Sequence, residues 1–414
     1  MSDNERCNEF PVGASNKSGL TPVFLEPTAD ENDECRVLRE LRATPAVFDL
    51  IAETTGSELA VQAVLRKQFP DDIVRAAVSI HELRRRAASK FTRADQLWLD
   101  RQGLEQSTNE AISRHKAQRF TGPVWDLCSG IGSDTFSLAA HCDVTAFDIN
   151  PAACLRTSWN AEAYGVAGRV QTRCEDVLQL SQFEGLVHID PDRRPGSGGR
   201  VTRIEDYVPG LDYLRELMSR CRGGAIKVSP ASNFGGKFPD AEIELISFQG
   251  ECKEATVWFG DLVRDSLFRA TVLPAGESIT GHPLEVAVPV SPLGRYLYDP
   301  DPAVVRSGLV DVLADRLGLH RLDPAEEYLT SDQLIRSPFV QTFETLTNLP
   351  NNERDLKSWL RTSGFGQLEI KCRHIPVQAD TLRRKLPLAG SDPGVIVFAR
   401  LDGKARIIGA RRPV

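Results

Sequence analysis

Asp126-Leu-Cys128-Ser-Gly130-Ile-Gly132-Ser-Asp134 sets two acids around a pair of glycines. Glycines so spaced let the backbone turn tightly and approach a ligand with no Cβ in the way. Ligands of open α/β sheets bind outside the carboxyl ends of strands, and the apolar run reaching Asp126 predicts such an end. Phe147-Asp148-Ile149-Asn150-Pro151 brings another acid 22 positions after Asp126. A carboxylate there can accept two hydrogen bonds from ribose hydroxyls. Asn150 is suited to cap the next helix, with Pro151 in its first turn. Cys174-Glu175-Asp176 ends a third run, where Asp176 can accept from an adenine amino group. His188-Ile-Asp190-Pro191-Asp192-Arg193-Arg194 closes a fourth. Asp190 can orient an acceptor N–H or O–H, or take its proton. Pro191 stiffens the loop, and the forks of Arg193 and Arg194 suit phosphate. Each acid alone also reads as a solvated turn residue; three successive strand ends with acids read as a nucleoside site. A dinucleotide site competes, but the third glycine of its G-x-G-x-x-G pattern would fall at Thr135.

The elements that must position these residues follow from periodicity. VWDLCS, DVTAFDI, RVQTRCED, LVHIDPD and GGAIKVSP are apolar runs about one crossover apart. EIELISFQG and EATVWFGDL then lie close together around a Gly-Glu-Cys-Lys turn. Five spaced strands with intervening helices, then a hairpin, predict a mostly parallel sheet with an antiparallel edge. Residues 1–34 are polar and acidic and read as a mobile leader. Residues 35–120 carry helical spacing and form an expected N-terminal helical domain. Residues 121–270 are the expected ligand-binding domain and 271–329 a connector, in which VVRSGLVDVLADRLGL reads as one helix. Residues 330–414 are expected to form a small α+β domain.

Composition sets bounds. The 414 residues exceed one ordinary core. No apolar run approaches the roughly 20 residues of a membrane span, and MSDNERCNEF lacks the features of a secretory signal. The expected location is cytoplasmic, with no membrane partner. The nine cysteines form no C-x-x-C pair, so they are expected to be reduced and structural, with no metal site. Net charge is −7, yet residues 354–414 hold 13 Lys and Arg against 5 Asp and Glu. Such a local excess suits phosphate contacts; it also suits solubility or docking against the acidic half.

DLCSGIGSD, AFDINP, CEDV and HIDPDRR, in that order, resemble the class I S-adenosylmethionine-dependent methyltransferases over about 121–262. The resemblance implies a Rossmann-like, seven-stranded α/β core with S-adenosylmethionine as cofactor. The candidate cofactor-binding set is Asp126, Cys128, Gly130, Gly132, Asp134, Asp148, Ile149, Glu175, Asp176 and Asp190. LDRQGLEQSTNEAI, DLCSGIGSDTFSLA and WNAEAYGV are also similar to trimethylguanosine synthase, which methylates an exocyclic guanine amine. GRVTRIEDYVPGL, KVSP and the basic end resemble bacterial methyltransferases with a THUMP-like C-terminal domain, which implies RNA as partner.

The resemblance makes Asp190, Arg193 and Lys227 the candidate catalytic residues. Arg193 stands near where the trimethylguanosine enzymes carry a Pro-Pro-Trp aromatic, a departure that weighs against exocyclic guanine methylation. The Asp-Pro-x-Arg form is similar to uracil C5 methyltransferases, but no cysteine nucleophile follows the fifth strand. A ribose 2′-O reading would use Lys116, Asp190, Lys227 and Glu254. A non-catalytic RNA-binding adaptor, or a methyltransferase acting on protein or a small molecule, remains open.

Overall fold

The structure, a computed structural model, describes residues 33–193, 203–264 and 267–413. The expected leader lies outside them apart from Asp33 and Glu34, and so does Arg194. The chain divides into two compact units. The first holds the described residues up to Ala241 with Thr256–Val263, and the second holds Glu242–Ala255 with those from Arg264 on.

The first unit opens with helices α1 (Asp33–Ala43), α2 (Ala46–Glu53), α3 (Glu58–Leu65), α4 (Asp71–Ala87), α5 (Arg101–Gln106) and α6 (Glu110–Ala117). α4 shows why: Asp71 and Asp72 open it and Arg84–Arg86 close it, matching the helix dipole. Its Ile73, Val74, Ala77, Ile80, Leu83 and Ala87 form the buried stripe. Strand and helix then alternate through β1 (Val124–Leu127), α7 (Ser133–Ala139), β2 (Val144–Asp148), α8 (Pro151–Ala163), β3 (Val170–Cys174), β4 (Leu186–Ile189), α9 (Leu211–Arg220) and β5 (Gly223–Val228). As expected, the Asn150 side chain caps α8 by accepting from the Ala152 N–H at 2.9 Å. The helical segment packs on α8, with Leu38, Leu41 and Ile73 sharing a core with Ala152, Leu155 and Trp159. Asn160 pins it there. Its side chain accepts from the Trp98 N–H at 2.7 Å and donates to the carbonyls of Trp98 and Ile131 at 3.1 and 2.8 Å.

After β6 (Glu242–Phe248) comes β7 (Glu251–Gly260), whose two halves belong to different units. In the first unit the order is β3-β2-β1-β4-β5-β7, with β1, β2, β3, β4 and β5 parallel. The chain runs outward from β1 to β3 and then returns to start β4 beside β1. That reversal is the switch point at which doubly wound sheets bind ligands. In the second unit β7 neighbours β6, so seven strands carry the expected order. β8 (Phe268–Leu273) and β9 (Glu277–Gly281) extend it to nine. The β6–β7 turn is Gln249-Gly250, both left-handed (φ 52° and 80°), so Glu251–Lys253, expected in the turn, belong to the strand.

The second unit also contains β10 (Tyr296–Pro300), α10 (Pro302–Arg306), α11 (Val310–Leu317), β11 (His320–Arg321), β12 (Leu329–Ser331), β13 (Val340–Pro350), α12 (Glu353–Leu360), β14 (Phe365–Cys372), α13 (Ala379–Arg383), β15 (Asp392–Leu401) and β16 (Lys404–Arg411). They build a sheet of order β11-β12-β10-β13-β16-β15-β14. β15 alternates across it: Val395, Val397 and Ala399 face one core, Ile396 and Phe398 the other. Two sequence expectations give way here. Residues 271–329 are not a mere connector, because β10, β11 and β12 pair into this sheet; strands this short, one ending in proline, carry little alternation. VVRSGLVDVLADRLGL is two helices, broken where Gly308 turns left-handed at φ 74°.

Candidate functional site

A cavity of about 630 Å³ opens in the first unit at the carboxyl ends of its parallel strands. Its floor is the turn after β1, where Cys128 and Gly130 adopt left-handed backbone, φ 60° and 58°. A Cβ on Gly130 would meet nothing within 4 Å, so this turn leaves open space. Asp148, Ile149 and Asn150 line the wall after β2, Asp176–Leu178 that after β3, and Asp190–Arg193 that after β4. Gln102, Gly103, Gln106 and Ser107 of the α5 segment also line it. Gly103 is required for this approach, since a Cβ would fall 2.4 Å from Ile131 Cγ2.

Asp148 accepts from the Gly130 N–H at 2.8 Å and, through its other oxygen, from the Asn150 N–H at 2.9 Å. Each oxygen keeps a second lone pair for a ligand hydroxyl. Burial pushes its carboxyl above the usual range, against the pull of those two N–H groups; Asp126 and Asp100 add to the rise. Asp176 caps the turn after it, accepting from the Leu178 N–H at 3.0 Å. Asp190 accepts from Lys227 Nζ at 2.6 Å, and that ammonium also donates to the Gln106 carbonyl at 3.0 Å. The Gln106 amide donates to Asp192 Oδ1 at 2.9 Å, tying α5 to the loop after β4. Arg193 lines the cavity and is 8% exposed, so it is not a solvated arginine. Ile149 is 70% exposed at the rim. The Cys128 thiol is driven well up by burial and then by Asp148 and Asp190, which keeps it neutral.

Four candidates stand elsewhere. Asp126, Gly132, Asp134 and Glu175 do not line the cavity. Asp126 is 1% exposed and both its oxygens are engaged, one by Thr135 Oγ1 and the other by His188 Nδ1 at 2.7 Å. His188 sits opposite it across the β1–β4 register. His188 Nε2 lies 3.3 Å from Lys116 Nζ, which pairs with Asp134 Oδ1 at 2.8 Å, and Thr108 donates to Asp134 Oδ2 at 2.6 Å. Burial opposes charge on Asp134, yet Lys116, with His188 and Lys227, outweighs it and holds the carboxyl well below its usual range. This buried polar chain fixes α6, α7, β1 and β4 to one another. Gly132 is needed against α8, where its Cβ would come within 3.1 Å of the Thr157 backbone. Lys227 reaches the site through Asp190 without lining the cavity.

Sequence reasoning missed Asp100, Gln102, Gln106, Ser129, Asp192 and Pro209 as cavity residues. Only LDRQGLEQS, directly upstream of the core, signalled the first three, and then only as part of a resemblance. The described cysteines are free thiols. No helix among the described residues is long and apolar enough to cross a membrane.

The family described as RNA cap guanine-N2 methyltransferase matches residues 122–215, and the THUMP domain-like family matches 340–412. Two Mycobacterium tuberculosis proteins, from strains CDC 1551 / Oshkosh and ATCC 25618 / H37Rv, are each 35% identical over 332 residues. These cover 77% of this chain and 90% of theirs, and both are named as uncharacterized S-adenosylmethionine-dependent methyltransferases. A crystal structure from Porphyromonas gingivalis W83, described as a candidate methyltransferase, superposes with a TM-score of 0.71 at 20% identity. The match covers 92% of this chain and 100% of that one, a likeness of fold.

Proposed function

The chain belongs to the S-adenosylmethionine-dependent methyltransferases, and from that premise we propose that it methylates RNA, at a base nitrogen. One observation carries the reading of the site: acids from three strand ends, Asp148, Asp176 and Asp190, line one cavity. The cavity's roughly 630 Å³ suits a ligand of the cofactor's size, and the open Gly130 turn leaves room for its amino-acid end. In this reading Asp148 holds the ribose hydroxyls and Asp176 the adenine amino group. Bound there, the cofactor supplies an electrophilic methyl group on a sulfonium.

The protein's part is to position the acceptor and manage its proton. Lys227 fixes one oxygen of Asp190. The other accepts the acceptor N–H, which turns the nitrogen lone pair toward the methyl group and gives the released proton a place to go. Arg193, buried at the same wall, would face the substrate's phosphate. The ribose-oxygen alternative needs Lys116 at the acceptor. Lys116 is instead committed to Asp134 and His188, which favours a base nitrogen.

The matches to an RNA cap methyltransferase family and to a THUMP-like domain support RNA as the substrate class. Mass spectrometry of nucleosides from total RNA tests the proposal, comparing cells with the protein, without it and with Asp190→Asn. One methylated base should vanish in the last two. Identical nucleoside profiles in all three would rule RNA out.

A further inference from the structure

We infer that the second unit carries a divalent transition-metal site, of the zinc class, held by Glu326, Glu327 and His374. One ligand atom from each residue lies within 4.8 Å of the others. Glu326 and Glu327 are adjacent and His374 follows 47 positions after Glu327, with no C-x-x-C spacing, so only the fold brings the histidine to the two acids.

A second, independent observation points to a ligand. Glu326 is fully buried at 0% exposure. Its Oε1 accepts from the Arg400 N–H at 2.8 Å, but its Oε2 is buried with no hydrogen-bond partner. Buried carboxylate oxygens are paired or coordinate a metal; this one is neither paired with a donor nor open to solvent.

The surroundings are built. Asp323 accepts from the N–H groups of Ala325 and Gly403, at 2.9 and 2.8 Å. With Glu326 on Arg400, this anchors the 323–327 loop to the β15–β16 turn before any ion arrives. Among side chains, the neighbouring Arg373 hydrogen-bonds to Asp299, at 2.5 and 3.1 Å, and not to Glu326 or Glu327.

The donor set selects the ion. Two carboxylates and a neutral imidazole balance a dication, and a set that includes imidazole favours zinc-like ions over calcium or magnesium. Around a tetrahedral ion, ligand atoms sit about 3.4 Å apart, given metal–ligand bonds near 2.0–2.1 Å. His374 Nε2 and Glu327 Oε2 are now 2.6 Å apart and would part by under 1 Å. Their side chains are 45% and 24% exposed, which gives them freedom to move and the ion a way in. A water completes the fourth position. The ion would staple the loop before β12 to the segment just after β14.

The full-length protein, stripped with chelator, is titrated with Co²⁺ and then Zn²⁺. One Co²⁺ per chain should bind, with visible ligand-field bands and no thiolate-to-cobalt charge-transfer band. Zn²⁺ should displace it and raise the thermal midpoint. Glu326→Gln and His374→Ala should both abolish binding. His374 is exposed, so that variant is expected to keep its fold by circular dichroism even if Glu326→Gln does not. Absence of saturable uptake, uptake unchanged in His374→Ala, or thiolate bands marking cysteine ligation would each overturn the assignment.

Discussion

At the scale of single residues, what separates the acids of this site is what surrounds them. Asp190 lines the cavity with one oxygen held by Lys227, so it can face an acceptor. Asp190→Asn keeps the shape and removes the charge. Turnover should fall by about 10²- to 10⁴-fold, the usual worth of a general base, while calorimetry gives near-parent cofactor affinity. A parallel loss of cofactor binding would move Asp190 from acceptor to cofactor. Asp148, Asp176 and Asp190 were legible because each follows an apolar strand and precedes a turn. Asp126 carries the same signature, and Asp134 opens the helix just past the turn. Their engagement by His188, Thr135, Lys116 and Thr108 depends on neighbours brought in by other elements, which local spacing does not encode.

At the scale of elements, the buried chain from Thr108 to Thr135 links α6 and α7 to the tips of β1 and β4. Removing one partner of a buried pair leaves the other charge stranded. Lys116→Met should therefore cost about 3–5 kcal/mol in denaturant unfolding, and adding Asp134→Asn should recover part of it. The pH dependence has a definite sign. The depressed Asp134 carboxyl contributes stability that is present above the unfolded Asp value, near 4, and is lost as pH falls toward its lower folded value. Lys116→Met should flatten that acid-side loss; an unchanged acid limb would mean Asp134 is not held by Lys116. The alternation of strand and helix that builds this frame was plain in the sequence. The α5 lining was not, because a six-residue helix has too few turns for periodicity, and its fit rests on Gly103 meeting Ile131.

At the scale of the whole molecule, the basic C-terminal stretch is less basic in the folded unit than its composition implies. Arg411 pairs with Glu344, Arg412 with Glu369, and Lys371 and Arg373 with Asp299. Arg361, Arg384 and Lys404 are exposed and form no ion pair among the described residues. If these three contact single-stranded RNA, replacing them together with alanine should flatten the slope of log affinity against log salt by about 2. A flat slope in the parent would count against phosphate contacts altogether. Fold class was legible at this scale from the order of strands and helices, whereas β10 pairs with β12 and β13, more than 30 residues along the chain, and the short β11 and β12 left no local trace. The central claim is that Asp148 and Asp176, from successive strand tips, share one cofactor seat. Calorimetric titration with S-adenosylhomocysteine tests it most directly. Asp148→Ala should bind about 100-fold more weakly, since hydrogen bonds to a charged group are worth about 1.5–3 kcal/mol each, while Glu175→Ala, off the cavity, should bind like the parent. Parent-like affinity in Asp148→Ala would contradict the account.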